Sequence, residues 1–219
     1  MDNYFVWSVA GGCGVTTVAA AIASERAHRG EITGVVDGAR QPAMAQTLGI
    51  PSLDTDGWHP VAGNLWASRH LAPFPGERLD TVVWDGHARA ERMVGWDICV
   101  IRNDYRCLSR FLKVVQADQM PDVVVVVTEP GAALGITDVV DVIGVPCIEF
   151  TYDPGVRRSS DAGLLVTRQP KSLERMLDLL FAHLAEVEPR GPEPEVDPYD
   201  VGWDEAKERY YEAKYGVEL

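Results

Sequence analysis

Basic residues are scarce in this chain. Its 219 residues include 20 lysines and arginines against 33 acidic residues, and the net charge is −13. Sequence-independent binding to DNA, or binding to anionic lipid, needs a basic face. No apolar run approaches the roughly 20 residues of a transmembrane helix, and the first residues lack the basic stretch that opens a signal peptide. We therefore expect neither DNA nor a membrane as a partner.

Cysteine is also sparse. The four cysteines are Cys13, Cys99, Cys107 and Cys147, and their spacing matches neither a metal-binding motif nor a disulfide framework. Cysteine used in this way is typical of a reducing compartment. The sequence therefore predicts a cytoplasmic protein without structural disulfides.

Apolar stretches alternate with amphipathic ones over residues 1–187. Five consecutive valines at 123–127 are typical of a strand that is buried on both faces, and repeated alternation of strands and helices indicates a mostly parallel sheet. The predicted strands are 4–9, 32–36, 65–68, 81–84, 98–101, 123–127 and 146–150. The predicted helices are 15–29, 105–116, a short helix capped by Thr137 that ends before Gly144, and 172–187. The sequence thus predicts an α/β domain with helices on both faces of the sheet.

Residues 188–219 differ from the rest in composition. They hold ten acidic and four basic residues, and four prolines fall within 189–198. We expect a Pro-rich acidic linker followed by a short helix at 203–215. That segment carries Trp203, Tyr210, Tyr211 and Tyr215. Two interpretations stay open, namely a solvated helix and a docking element for a protein partner or for the chain's own domain.

A glycine-rich loop follows the first predicted strand and opens the first predicted helix. It reads Ala10-Gly11-Gly12-Cys13-Gly14-Val15-Thr16-Thr17. Glycines allow backbone N–H groups to curl around an anion, and the helix N-terminus adds partial positive charge. The hydroxyl of Thr16 stands where it could bind Mg²⁺. The alternative is an empty structural turn between strand and helix.

This loop resembles the deviant phosphate loop of the ParA/MinD family of P-loop ATPases, which reads Lys-Gly-Gly-x-Gly-Lys-Thr-Thr/Ser. Residues 35–41 with 48–51 resemble the family's Asp-x-Asp switch, and residues 82–85 resemble its Walker B strand. Residues 138–146 and 152–163 resemble the segments around its adenine-side strand. The resemblance covers about 4–187. It implies a three-layer P-loop NTPase fold, ATP or ADP with Mg²⁺ as cofactor, and a homodimer.

The resemblance also assigns candidate binding residues. Nucleotide contacts fall on Gly11, Gly12, Cys13, Gly14, Val15, Thr16, Thr17, Asp153 and Pro154. The residues expected at Mg²⁺ are Thr16, Asp37 and Asp85.

Four departures from the family pattern bear on catalysis. Ala10 and Val15 stand where the family has lysines, Ala39 replaces the carboxylate that organises the attacking water, and Thr128 or Glu129 replaces the adenine-reading Asn. Loss of one preorganised group aimed at developing charge costs about 2.7–4 kcal/mol of transition-state stabilisation.

We therefore expect no catalytic residue and no obligatory cofactor. The resulting interpretation is a pseudo-ATPase adaptor or regulator in a partition, cell-division or positioning system, with a protein partner bound through the tail. The alternative is a slow ATPase of the same family that binds ATP and Mg²⁺, dimerises, and serves DNA partition or septum placement. Such an enzyme would need a cation from Arg40, Arg157 or Arg158.

Overall fold

A computed structural model of the chain describes residues 1–53, 57–86, 94–115 and 120–189. The predicted linker and the helix at 203–215 lie outside the described residues. The described strands form one eight-stranded sheet in the order β3-β4-β2-β5-β1-β6-β7-β8. All neighbouring strands pair in parallel except β3 and β4, which are antiparallel.

The strands are β1 (Asp2–Trp7), β2 (Thr33–Asp37), β3 (His59–Ala62), β4 (Leu65–Ser68), β5 (Thr81–Asp85), β6 (Trp96–Arg102), β7 (Val123–Thr128) and β8 (Cys147–Thr151). The helices are α1 (Val15–His28), α2 (Met44–Leu48), α3 (Tyr105–Val114), α4 (Ile136–Ile143), α5 (Pro154–Asp161) and α6 (Lys171–Leu184).

The core explains why helices must cover both faces of the sheet. All six residues of β7 and all five of β2 are buried. Side chains of a strand point alternately to the two faces, so complete burial requires cover on each side. The predicted three-layer α/β fold is confirmed. Among the described residues, no helix combines the length and the apolar character needed to cross a bilayer.

Helix α1 approaches the sheet closely because its buried residues are mostly small. Residues 18–24 are all buried, and four of them are alanine. Small side chains let the helix axis lie near β5 and β2, against which it packs. This close contact fixes the start of α1, where the glycine loop ends.

Several predicted boundaries were wrong. Strand β3 and the five-residue helix α2 were not predicted, because both are too short to show a hydrophobic period. Strand β1 begins at Asp2 and ends at Trp7. Helix α4 is capped at Gly135 and not at Thr137, since the Asp138 side chain accepts a hydrogen bond from the Gly135 backbone N–H at 2.7 Å.

One close backbone contact sets the position of α2. Gly49 ends α2 with φ +73°, and a Cβ built there would lie 2.3 Å from the carbonyl oxygen of Gly163, just after α5. Only glycine combines that left-handed conformation with such an approach. The contact holds the segment that follows β2 against α5.

Candidate functional site

The glycine loop lies between β1 and α1. Gly12 and Gly14 adopt left-handed conformations with φ +77° and +93°. Gly14 is the N-cap of α1, and no side chain from the described residues caps the helix there. The first turn also contains no acidic residue. The N–H groups at the start of α1 and the positive end of its dipole therefore face the loop, and neither a capping side chain from the described residues nor an acidic residue of the first turn offsets them. An anion site requires this arrangement.

Two cavities meet at this loop. The first, called here the loop cavity, has a volume of about 800 Å³. It is lined by residues 8–16, by Ala39, Arg40 and Gln41 after β2, by Asp85 and Gly86 at the end of β5, and by Arg110 of α3. The second, called the strand-end cavity, has about 620 Å³ and is lined by Gly12–Gly14, Thr17 and the ends of β7, β8 and α5. Both volumes suit a small-molecule ligand.

The strand-end cavity has a mixed lining. Phe150 and Tyr152 contribute ring surface, and Glu129 and Arg102 contribute charge. Arg102 pairs with Glu129 at 3.1 Å. The Thr128 hydroxyl donates a hydrogen bond to the Glu149 carboxylate at 2.8 Å, and Thr128 does not line the cavity. Of the two alternatives at the base-reading position, Glu129 is therefore the one that faces the cavity.

Asp37 is held by an ion pair that the sequence did not predict. It is fully buried at the end of β2. The Arg69 guanidinium lies 3.1 Å from its Oδ1 and donates to its main-chain oxygen at 2.7 Å. The carboxylate also accepts from the backbone N–H groups of Ala39 and Met44, each at 3.2 Å. Asp37 thus has a protein cation and two N–H donors as partners.

Asp85 lies beside Asp37 in the register of β2 and β5 but is differently placed. It is 1% exposed, and its Oδ2 has no hydrogen-bond partner among the described residues. Burial raises the pKa of Asp85 to about 7, and the Asp37 carboxylate adds to this, while the Thr16 hydroxyl and Arg69 oppose it. Asp85 is therefore a buried carboxyl group that faces the loop cavity with one oxygen unused.

The fit of these residues to Mg²⁺ is partial. The free oxygen of Asp85 and the hydroxyl of Thr16 are oxygen ligands of the kind that Mg²⁺ prefers, and both residues line the loop cavity. Asp37 does not fit, because Arg69 already neutralises it. Within 1–53, 57–86, 94–115 and 120–189, no group of three or more His, Cys, Asp or Glu side chains is placed to hold a metal ion.

The remaining predicted site residues fall into two groups. Gly11, Val15 and Thr16 line the loop cavity, Thr17 lines the strand-end cavity, and Gly12, Cys13 and Gly14 line both. Asp153 and Pro154 line neither. Asp153 caps α5, where it accepts hydrogen bonds from Ser172 Oγ and from the Gly155 N–H, each at 2.6 Å. These bonds lower the pKa of Asp153, and its carboxylate is used structurally.

The arginines near the site also differ in which cavity they line and in their ion pairs. Arg40 and Arg110 line the loop cavity, and neither has an ion-pair partner within the described part of the chain. Arg157 lines the strand-end cavity and lies 3.6 Å from Asp161, while Arg158 lines neither cavity. Sequence reasoning missed Arg69 and Arg110, since no local pattern shows that β4 lies beside β2 or that α3 borders the loop.

A glycine loop between the first strand and first helix, at the carboxyl edge of a parallel sheet, is the architecture of the P-loop nucleotide-binding proteins. This chain has the ParA/MinD-like fold. Neither a protein-family model nor a curated protein matches its sequence.

The similarity of fold is seen in the comparison of this chain with solved structures. The MinC:MinD cell division complex of Aquifex aeolicus matches with a TM-score of 0.66 at 16% identity, over 87% of this chain and 99% of that one. The septum site-determining protein MinD of Pyrococcus horikoshii, complexed with Mg-ADP, has a TM-score of 0.61 at 14% identity, with 90% and 97% covered. A ParA family ATPase of Chlorobium tepidum has 0.60 at 12%, with 82% and 98% covered.

Proposed function

We propose that this chain is a cytoplasmic pseudo-ATPase adaptor of ParA/MinD type, which serves a cellular positioning system by binding protein partners. The observation that carries the proposal is the ion pair of Arg69 with Asp37, because the switch carboxylate is neutralised inside the protein. Ala10 and Val15 leave the loop without either lysine, and Ala39 supplies no carboxylate. The solved neighbours, which include septum-site and ParA family proteins, support a positioning role.

The loop retains the geometry for a phosphate group even though its charge is reduced. Backbone N–H groups of residues 11–16 and the N-terminus of α1 would contact the anion, and Thr16 with Asp85 would hold Mg²⁺. Such an ion would supply charge neutralisation to a bound phosphate. We therefore expect nucleotide binding to be weak and hydrolysis to be absent.

Calorimetric titration with Mg-ATP and Mg-ADP, followed by a phosphate-release assay, tests this proposal. The expected result is weak or no heat of binding and a release rate equal to that of buffer. Micromolar affinity together with measurable turnover would contradict the adaptor. It would favour the second candidate, a slow ATPase. The supporting observation is that Arg40 and Arg110 line the loop cavity and have no ion-pair partner among the described residues.

Restoring the lysine at position 15 should restore affinity. Val15 is the first residue of α1 and lines the loop cavity. A hydrogen bond to a charged group contributes about 1.5–3 kcal/mol, so Val15→Lys should tighten Mg-ATP binding by about 30-fold. Val15→Met is the matched control, because it has similar length without charge. Equal affinities of the two variants would show that this loop does not hold phosphate.

The protein partner is proposed to bind the acidic tail through its aromatic residues. Trp and Tyr dominate the binding energy of interfaces, and residues 203–215 of the tail carry four such residues in a polar setting. In cells that contain the partner, a fluorescent fusion should lose its position when Trp203 and Tyr211 are both replaced by Ala. An unchanged position would exclude the tail as the docking element.

A further inference from the structure

Two of the four cysteines meet at the glycine loop. Cys13 lies inside the loop and Cys107 in the first turn of α3, 94 residues later, and their Sγ atoms are 3.6 Å apart. Both residues are buried, with 2% and 4% exposure. A disulfide bond has an S–S distance of about 2.05 Å, so the two sulfur atoms would need to approach by only about 1.5 Å.

We propose that Cys13 and Cys107 form a site of reversible covalent modification, an intramolecular disulfide that ties the glycine loop to α3. The oxidant is a low-molecular-weight disulfide. One cysteine, as its thiolate, attacks a sulfur of that reagent, forms a mixed disulfide and releases one small thiol. The second cysteine then attacks the protein sulfur of the mixed disulfide and releases the second small thiol. The two protons lost by the cysteines end on the two released thiols.

The placement of the two residues assigns their order of reaction. Cys13 lines both the loop cavity and the strand-end cavity, so a small reagent reaches it through either opening. Cys107 is behind it, on a backbone that is fixed by a 2.8 Å hydrogen bond from its N–H to the Asp104 carboxylate. Burial raises the pKa of Cys107 to about 12, so its thiol is protonated before the reaction begins. Cys13 is therefore the attacking residue and Cys107 the resolving one.

The bond would change the loop on which both cavities depend. Cys13 stands between Gly12 and Gly14, which both have left-handed backbone conformations. Because glycines allow the loop to adjust, the Cys13 side chain can move toward α3 without displacing α1. A covalent link then fixes the distance between the loop and α3, on which Arg110 borders the same cavity. Oxidation thus offers a control of the site that does not require nucleotide turnover.

The remaining cysteines provide internal controls. Cys99 is buried within β6. Cys147, in β8, is partly buried, and its Sγ donates to the Val145 carbonyl oxygen at 3.3 Å. Burial raises the pKa of Cys147 to about 11, so its thiol is protonated much as that of Cys107 is. Selective loss of the Cys13 and Cys107 thiols would therefore report proximity and not general reactivity.

The test uses the full-length protein and oxidised glutathione as the probe. After incubation, free thiols are blocked with N-ethylmaleimide, and the protein is digested without reduction and mapped by mass spectrometry. We expect one linked peptide pair that contains Cys13 and Cys107, N-ethylmaleimide adducts at Cys99 and Cys147, and full reversal of the link by dithiothreitol. The Cys147→Ser variant should give the same linked pair, and Cys107→Ser should stop at a mixed disulfide on Cys13.

Two results would overturn the proposal. One is blocking of both Cys13 and Cys107 by N-ethylmaleimide, after denaturation, in wild-type protein that has been exposed to the oxidant. The other is a disulfide that joins Cys147 to another chain while the Cys13–Cys107 pair stays reduced. The wild-type map alone decides between these outcomes if a serine variant fails to fold.

Discussion

Replacing Arg69 by Ala is expected to destabilise the protein by about 3 kcal/mol. The substitution leaves the carboxylate of Asp37, which is fully buried, without its counter-charge, and removing one member of a buried ion pair costs about 3–5 kcal/mol. The estimate is at the lower end because the Arg69 side chain is itself 23% exposed, so water can replace part of the interaction. Urea unfolding followed by tryptophan fluorescence would measure the change.

Arg78→Ala is the control for this experiment. Arg78 also pairs with an aspartate, Asp80, but at 3.5 Å and with a side chain that is 83% exposed. A surface pair of this kind contributes little, so we expect a change of at most about 0.5 kcal/mol. If Arg69→Ala fell within the same range, the Asp37–Arg69 pair would not be a buried electrostatic contact.

A double variant separates the charge of Asp37 from its shape. Asp37→Asn combined with Arg69→Met removes both charges, and we expect it to be more stable than Arg69→Ala alone, because no unpaired charge remains. Ala39 and Met44 donate to different oxygens of the carboxylate, and an amide has a single acceptor oxygen, so only one of these backbone N–H groups would keep its partner. If the double variant were less stable than Arg69→Ala, Asp37 would stabilise the protein mainly through its hydrogen bonds.

The parts of the fold that the sequence predicted are those set by local patterns. Five consecutive valines identify β7 because no polar residue interrupts the run. The glycine loop is recognisable because its conformation depends on glycines that are adjacent in the chain. In both cases the residues that determine the structure lie within about ten positions of one another.

The contacts that change the interpretation of the site depend on strand order. Arg69 follows β4, and it reaches Asp37 only because β4 pairs with β2. Cys107 is 94 residues from Cys13, and the two meet only because β6, which leads into α3, lies beside β1. Neither pairing has a local signature, so composition and spacing identified the candidate carboxylates but not their partners.

Stability should also depend on pH through Asp85. Its pKa rises from 3.8 to about 7 on folding, mainly because of burial. Between these values the folded protein keeps a proton that the unfolded chain has released, and stability therefore falls as pH rises. The contribution is fully present below about pH 4, declines through pH 7 and is absent above it. Each pKa unit corresponds to 1.36 kcal/mol, so the total loss is on the order of 4 kcal/mol.

Asp85→Asn should abolish this slope, because an amide of similar shape does not titrate, and the variant should be more stable than wild type above pH 7. Asp153 gives no similar signal, since its pKa is lowered and its contribution is lost only as the pH falls. Urea midpoints from pH 4 to 8 in the presence of a chelator would measure the slope, and identical profiles for wild type and variant would contradict the assignment.

Repeating the pH series on wild-type protein in excess Mg²⁺ tests whether the free oxygen of Asp85 binds a metal ion. A bound cation favours the charged carboxylate, and it should therefore flatten the slope between pH 4 and 7 and stabilise the protein above pH 7. Calcium is a useful comparison, because it prefers a larger and more flexible set of oxygen ligands. If neither ion altered the slope of wild type, the free oxygen of Asp85 would not be a metal ligand in the protein without nucleotide. Asp85 would then remain a protonated group whose hydroxyl can donate a hydrogen bond into the loop cavity, which would strengthen the case for anion binding without a metal.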